Sequence, residues 1–279
     1  MAFRWVILIF GLQVIPLVGC SDKDGFSPPS YTESFLSRIS RNGMPFIDLH
    51  YNIEKRLSRL DFYFNGELNI YQIYEYQNNE VALMRRFNAE HHTQIYMTRF
   101  TYDNLGRIFK AENYISPGFE QVASTTTLSY SPSGDMVSKA FRPTGSPIYS
   151  LDEFTYDLKG NMTSYARTLH PGQPSEYLTF FFEYMPDGSD IPKGWEETLM
   201  LLSLSGGYDD ELRNMYRIQY DYKNWDSNKL LVSDTKVEFS GQVLDEKGRL
   251  TGQVQTRIRL FPQTPNLETQ LNYNYFPDN

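Results

Sequence analysis

The chain has little cysteine and no clustered positive charge. Its 279 residues include one cysteine, 26 Lys and Arg residues, and 34 Asp and Glu residues. A single thiol cannot form an intramolecular disulfide, so the fold has to be stable without one. The net charge is −8 and no run of Lys or Arg is longer than a pair, which argues against a nucleic-acid partner because phosphate binding needs concentrated positive charge.

Residue patterns typical of metal sites are also missing. The histidine pair His91 and His92 would point to opposite faces of a strand, and the composition of residues 88–93 predicts a solvated loop there. The acidic segments 187–190 and 209–211 lack the ligand spacing of a calcium loop. We therefore predict no metal and no cofactor, and no motif assigns a catalytic residue.

The N-terminus carries the longest apolar stretch. Arg4 precedes a largely apolar segment that ends at Leu17-Val18-Gly19-Cys20. A basic residue followed by a short apolar segment is typical of an export signal, and this segment is too short and interrupted for a membrane span. The closing tetrapeptide resembles the lipobox of bacterial lipoproteins, which implies removal of residues 1–19, lipidation of Cys20 and attachment to a membrane. An ordinary secretory signal is the alternative.

Residues 20–45 form a second predicted region between the lipidated cysteine and the folded domain. Residues 21–25 and 27–30 predict a polar tether. Acidic residues directly after the cysteine resemble the signal with which some Gram-negative bacteria display lipoproteins on their surface. This resemblance implies that the protein is located at the outer membrane. Exposure on the cell surface and retention on the inner side of that membrane both remain open. Residues 31–40 predict a short helix. We assign residues 46–279 to one β-domain.

A short repeat organises that domain. Residues 102–107 read Tyr-Asp-Asn-Leu-Gly-Arg, and residues 156–161 read Tyr-Asp-Leu-Lys-Gly-Asn. Weaker copies begin at positions 51, 76, 130, 184 and near 222, and another spans 244–249; the starts from 51 to 184 lie 25 to 28 residues apart. In each copy the acid caps a tight turn, the glycine supplies a positive φ, and the tyrosine belongs to the apolar face. The predicted framework positions are Tyr102, Asp103, Gly106, Tyr130, Gly134, Tyr156, Asp157, Gly160, Tyr184, Gly188, Asp245 and Gly248.

Turns between the copies and alternating polarity within the segments predict an all-β fold. The 21 Tyr and 19 Phe residues add to this bias, since aromatic side chains pack well on a pleated surface. We expect a long antiparallel up-and-down meander of roughly fourteen to sixteen strands, curled into an open or closed barrel-like roll. A helix predicted over residues 195–202 would cover one end of this roll.

The faces of the predicted strands argue against an integral membrane barrel. Val254, Ile258 and Leu260 are assigned to the core face, and Arg99, Arg257 and Arg259 to the other face, where a membrane barrel would need apolar side chains.

The Tyr-Asp-x-x-Gly-Arg/Asn pattern resembles the YD repeat of rearrangement-hotspot (RHS) proteins and teneurins. Its setting in a short lipoprotein resembles the YD-repeat lipoproteins of gut-type anaerobes. The resemblance covers about residues 47 to 276 and is best at the copies that begin at Tyr102 and Tyr156. In the large relatives the repeats wind into a shell around cargo, so the resemblance implies a structural role for the repeat and transfers no catalytic residue.

These observations predict a lipid-anchored envelope protein with a non-enzymatic binding or scaffolding role. A glycan or an outer-membrane protein is the expected partner. Tyr71, Tyr222 and Trp225 are the candidate binding residues. A half-buried sheet needs aromatic side chains on only one face, so additional ones can stack on sugar rings or on a partner protein. The alternative, that these side chains cover a sheet edge, explains them equally well. The alternative function is a carbohydrate-degrading enzyme of the cell surface, for which the strand carboxylates are Glu153, Glu176, Glu183 and Glu238.

Overall fold

The computed structural model describes residues 35–158, 161–171, 176–184, 200–201, 204, 217–246 and 250–275. The predictions for residues 1–19, Cys20, Gly160, Gly188, Gly248 and the side chain of Tyr184 lie outside what it describes.

Sixteen β-strands make up the described fold. The first eight are β1 Leu36–Arg41, β2 Met44–Tyr51, β3 Leu57–Phe64, β4 Glu67–Gln77, β5 Glu80–Asn88, β6 Gln94–Tyr102, β7 Ile108–Ile115 and β8 Ser124–Tyr130. The other eight are β9 Met136–Pro143, β10 Ser150–Tyr156, β11 Met162–Leu169, β12 Tyr177–Tyr184, β13 Arg217–Trp225, β14 Leu231–Leu244, β15 Leu250–Phe261 and β16 Leu267–Tyr275.

The strands close into an antiparallel up-and-down barrel. Each strand pairs with the next one along the chain, and β1 also pairs with β16, where Ile39 lies opposite Tyr273. Strand twist accumulates in so wide a sheet, and closure pairs the two edges that would otherwise remain open. The all-β up-and-down prediction is confirmed, and the sheet takes the closed form. No helix within the described ranges has the length and apolar character needed to cross a membrane.

The two ends of the barrel carry different turns. We call the end with the β2–β3, β6–β7, β8–β9 and β10–β11 turns the repeat rim, because the predicted copies that begin at positions 51, 102, 130 and 156 lie there. The other end, with the β1–β2, β3–β4, β13–β14 and β15–β16 turns, is the opposite rim. Strand β1 begins at the repeat rim, and β16 ends there.

The first predicted helix is wrong in its described part. Leu36–Arg41 is strand β1, so the barrel begins before position 46. Leu36 and Ile39 are both fully buried although they are three residues apart, because the pairing with β16 shifts register between Leu36 and Arg38. Such a bulge gives a strand the three-residue spacing that is typical of a helix. In the second predicted helix, Met200 and Leu201 are helical, and Leu201 lies in the hydrophobic core.

The inner face of β1 to β8 forms most of that core. Leu49 pairs with Leu60 and Tyr74 pairs with Met84, and all four side chains are buried in one apolar cluster. Directly paired residues share a face of a sheet, so the register identifies the inward positions around the barrel.

Strand β15 presents the opposite faces to those predicted. Gln253 pairs with Leu271 and Arg257 pairs with Val237, and Leu271 and Val237 belong to the core. Residues 253, 255, 257 and 259 therefore face inward, whereas Val254, Ile258 and Leu260 face outward. The alternation along this strand is present, but the polar side chains are on the inner face. Gln253 is fully buried there and donates to the Tyr273 hydroxyl at 2.8 Å, whereas Arg257 and Arg259 line a cavity.

The turn at residues 103–107 has the geometry that the repeat predicts. The Asp103 amide donates to the Arg107 carbonyl oxygen at 2.9 Å, and the Gly106 amide donates to the Asp103 carbonyl oxygen at 3.1 Å. The Asp103 carboxylate accepts bonds from the amides of Leu105 and Arg107, both at 2.9 Å. Gly106 has φ +74°, where a Cβ is unfavourable. The same first backbone bond recurs at 52–56, 131–135, 157–161 and 226–230.

The tyrosines that open the copies donate hydroxyl hydrogen bonds across the sheet. Tyr102 donates to the Val81 carbonyl oxygen at 3.1 Å, and Tyr130 donates to that of Ile108 at 2.5 Å. The same bond joins Tyr76 to Leu57, Tyr156 to Met136 and Tyr275 to Leu250. The rings of Tyr102 and Tyr130 pack against the core, as predicted for framework positions.

Two predicted copies differ from this pattern. The copy at 76–80 is a two-residue turn in which Asn78 and Asn79 both have positive φ, a conformation that asparagine tolerates well. The copy predicted near Tyr222 is the turn after Trp225, so Trp225 holds the position of the repeat tyrosine. This turn lies at the opposite rim, which the sequence spacing did not anticipate.

Candidate functional site

A cavity of about 480 Å³ lies inside the barrel toward the opposite rim. Its walls come from the inner face of β12 to β15, close to the strand ends. The lining residues are Leu178, Phe180, Tyr220, Tyr222, Ser233, Thr235, Val237, Arg257 and Arg259. The size of the cavity is in the range of small-molecule sites, and its wall combines apolar, aromatic and polar side chains.

One wall of the cavity belongs to a row of stacked aromatic rings, which we call the aromatic row. Phe154, Tyr165, Phe180 and Tyr222 lie on four successive strands and are paired directly from strand to strand. Their ring centroids are 5.3, 4.9 and 5.0 Å apart, with interplanar angles of 12°, 25° and 26°. The rings form a continuous inner surface because directly opposed side chains on an antiparallel sheet are close neighbours.

Two arginines line the same wall, two strands away from the last ring of the aromatic row. Arg257 and Arg259 are exposed, lie two residues apart on β15 and so point to the same side. The lining includes no carboxylate, and neither guanidinium has an ion-pair partner within the described part of the chain. These two positive charges are therefore open to an anionic ligand.

Polar atoms complete the wall between the arginines and the aromatic row. The side chains of Ser233 and Thr235 are buried and line the cavity. Asn224 pairs with Ser233 and Leu178, which both line it, and the Asn224 side-chain oxygen is buried without a hydrogen-bond partner among the described residues. The hydroxyl groups of Ser233 and Thr235 are therefore the uncharged polar groups that β14 offers to a ligand.

The three predicted binding residues do not come together. Tyr222 faces the cavity, whereas Trp225 is on the outer face and stacks on Tyr177 with 5.6 Å between ring centroids. Tyr71, on the outer face of β4, is only 8% exposed because Phe87 stacks on it and the Arg59 guanidinium lies 4.4 Å from its ring centre. Phe180, Arg257 and Arg259 were not among the predicted site residues, although the two-residue spacing of the arginines on a strand marks them as neighbours.

The predicted strand carboxylates lie away from the cavity. Glu153 and Glu183 are exposed, and the pairing of Glu153 with Ala166 and of Glu183 with Gln219 places both on the outer face. Glu238 is also on the outer face and forms an ion pair with Lys236 at 2.7 Å. Glu176 is exposed just before β12.

Another carboxylate pair lies on the outer face, where Asp48 of β2 is directly opposite Asp61 of β3. Arg38 binds both oxygens of Asp48 at 2.5 and 2.6 Å. Arg59 donates to Asp61 at 2.6 Å, and His50 lies 2.9 Å from its other oxygen. Burial would raise the pKa of Asp61, but the hydrogen bonds from His50 and Arg59 outweigh it and hold the pKa below its ordinary value. The carboxylate is therefore ionised and paired at neutral pH.

Ion pairs recur around the outer face at central strand positions. Arg85 donates to Glu75 and Lys110 donates to Glu112, both at 2.5 Å, and Lys223 lies 3.7 Å from Asp234. The Arg99 guanidinium lies over the ring of Tyr114 on the same face, as predicted for Arg99. The described residues contain no group of three or more His, Cys, Asp or Glu side chains that could hold a metal ion.

The fold and the cavity together define a closed up-and-down β-barrel with a solvent-accessible site in its lumen. No protein-family model matches the chain, and no curated protein matches it. Among solved structures, the chain is similar to a porin-like protein from Bacteroides uniformis ATCC 8492, with a TM-score of 0.50 and 14% identity over 89% of this chain and 99% of that one. It is also similar to a porin-like protein from Bacteroides vulgatus ATCC 8482, with a TM-score of 0.50 and 10% identity over 87% of this chain and 99% of that one. At these identities the likeness concerns the fold.

Proposed function

We propose that this chain is a lipid-anchored cell-envelope barrel that binds a glycan in its lumen without chemical conversion. The observation that carries the proposal is the cavity of about 480 Å³, whose wall combines the aromatic row with hydroxyl groups. Sugar rings present apolar faces that stack on aromatic side chains, and hydroxyl edges that need hydrogen-bond partners.

The envelope location and the anchor are supported by independent features. The N-terminal segment ending at Cys20 has the order of charges and apolar residues of a lipoprotein signal. The solved structures with the same fold are described as porin-like, which supports an outer-membrane setting. The shared geometry of the turns at 52–56, 103–107, 131–135 and 157–161 supports the relation to YD-repeat lipoproteins.

A barrel with this outer face is not suited to spanning the membrane with its strands. A membrane barrel needs an apolar outer band, and charged side chains at its mid-height are destabilising. Here Asp48, Asp61, Arg85 and Glu112 occupy the outer face at central strand positions. The proposed attachment is therefore through the lipid, with the barrel itself in water.

The alternative, a carbohydrate-degrading enzyme, has less support because no carboxylate lines the cavity. Glycoside hydrolysis needs one protonated and one ionised carboxyl group on either side of the scissile bond. Asp48 and Asp61 are neighbours, but each is bound by an arginine and Asp61 has a lowered pKa, so neither is suited to donate a proton.

A matched pair of variants tests luminal glycan binding. Phe180 and Phe181 are adjacent on β12, where Phe180 lines the cavity and Phe181 is exposed on the outer face. The detergent-solubilised full chain would be screened on a glycan array, and its best glycan measured by calorimetry against Phe180→Ala and Phe181→Ala. We expect Phe180→Ala to lose about two- to tenfold in affinity, since stacking on one ring is worth about 0.5 to 1.5 kcal/mol. Equal losses in both variants, or a glycan that is hydrolysed, would contradict the proposal.

A further inference from the structure

The inner face of this acidic barrel carries more basic than acidic side chains. On the described strands, the acids Asp48, Asp61, Glu112, Glu153 and Asp221 lie on the outer face, where basic side chains accompany them. The inner face carries Arg86, Lys139, Arg167, Arg257 and Arg259, together with the acid Asp152. A net charge of −8 makes this inward concentration of positive charge unusual for the chain as a whole.

Arg86 lies over the Tyr96 ring, and the other four inward basic residues fall into two groups with different roles. Lys139 and Arg167 hold Asp152, which is 1% exposed: Arg167 donates to both carboxylate oxygens at 2.7 and 3.1 Å, and Lys139 lies 3.3 Å away. Their charge is used within the fold. Arg257 and Arg259 have no described carboxylate to neutralise them, and both are exposed at the cavity wall.

We propose that the luminal cavity selects an acidic saccharide, one that carries ring carboxylates. This inference rests on the proposed glycan-binding function and adds the charge class of the ligand. Arg257 and Arg259 bind the carboxylates, and the aromatic row stacks on the sugar rings. The guanidinium fork matches a planar carboxylate with two parallel hydrogen bonds. Two arginines at positions i and i+2 of a strand are about 7 Å apart at Cα, so they can reach two anionic groups of one oligosaccharide.

The aromatic row beside the arginines favours a saccharide over a fatty acid, the other ligand class with a carboxylate. A fatty acid needs an enclosed aliphatic channel for its chain, whereas this wall is a row of nearly parallel rings. The hydroxyl groups of Ser233 and Thr235 also line the cavity, and they can form hydrogen bonds with sugar hydroxyls but not with an alkyl chain.

The test compares charge and ligand class with the full chain in detergent. Three probes would be titrated by calorimetry at low and high salt: a trigalacturonate, a neutral galactotriose of the same length, and decanoate. The test variant is Arg257→Gln with Arg259→Gln. The matched control is Arg142→Gln, which removes an exposed arginine from the outer face of β9. A second test variant, Arg257→Lys with Arg259→Lys, keeps the charge and removes the fork, so a folding defect of the Gln variant does not end the test.

The expected result is that trigalacturonate binds at least about tenfold tighter than galactotriose at low salt, with the advantage reduced at high salt. The Arg→Gln pair should abolish that advantage, the Arg→Lys pair should reduce it, and Arg142→Gln should leave it unchanged. Equal affinity for the two sugars, with both weakened by Phe180→Ala, would overturn the charge preference and leave glycan binding standing. Tight decanoate binding that depends on Arg257 and Arg259 would overturn the saccharide assignment. Binding of none of the probes, with a negative glycan array, would contradict the proposed function itself.

Discussion

Tyr130→Phe isolates the hydroxyl group that joins one repeat to the strand before it. Tyr130 donates to the Ile108 carbonyl oxygen at 2.5 Å, and its ring packs against the core. The Arg107 guanidinium lies over this ring, 4.4 Å from the ring centre. The substitution keeps the ring and removes only this hydrogen bond, so we expect a loss of about 1 kcal/mol at pH 8. For a domain of this size that corresponds to a melting temperature lower by about 2 to 4 °C.

The same residue predicts how the difference changes with pH. Burial raises the pKa of Tyr130 to about 12, whereas an unfolded tyrosine titrates near pH 10. A raised pKa means that the folded state binds the proton more tightly, so this part of the stability is fully present below pH 10 and is lost between about pH 10 and 12. The phenylalanine variant lacks this loss, and the stability gap between the two proteins should therefore shrink at pH 11.

The measurement is urea unfolding at pH 8 and pH 11, followed by circular dichroism. Tyr149→Phe is the control, because Tyr149 is exposed at 42% while its ring also contacts two aromatic neighbours. Titration of other groups affects all proteins alike and cancels in the difference. A gap that is zero at pH 8, or that is the same at both pH values, would refute the view that the repeat tyrosine is a buried hydrogen-bond donor.

Three further changes test other parts of the molecule. Gly106→Val should cost about 1 to 3 kcal/mol, and more than Gly106→Asn, because φ is +74° there; an unchanged melting temperature would show that the turn is not strained. Asp61→Asn should destabilise the protein at pH 7, and the difference should shrink as the pH falls below about 4, the ordinary pKa of Asp, because the lowered pKa of Asp61 stabilises the fold only while its carboxylate is ionised; Glu90→Gln in the exposed 88–93 loop is the control. Cys20→Ser should release the protein from membranes, and mass spectrometry that finds residues 1–19 retained with an unmodified Cys20 would contradict the anchor.

Local signals in the sequence were enough to predict the hairpins. The turn between β3 and β4 is one of those predicted between the copies, and its Asn65 and Gly66 both have positive φ, as Asn-Gly pairs do between antiparallel strands. The capping acid and the glycine at 103–107 take their predicted roles. These features depend on four to six consecutive residues, so no distant contact is needed to specify them.

Features that depend on distant strands were not predictable in this way. The segment 36–41 has the spacing of a helix, and what makes it a strand is pairing with β16 at the other end of the chain. Alternation on β15 separates two faces, but alternation alone does not say which face is inside, so Arg257 and Arg259 were assigned to the wrong side. The cavity itself arises where β12 to β15 come together, and its two arginines are recognisable only after the register is known.

The position of the chain ends has a consequence for how the cavity is presented. Strand β1 begins at the repeat rim, and the cavity lies toward the opposite rim. A lipid on Cys20, as proposed, would therefore be joined to the barrel at the repeat rim, the end away from the cavity. A saccharide could then enter the binding site without displacing the segment that carries the lipid.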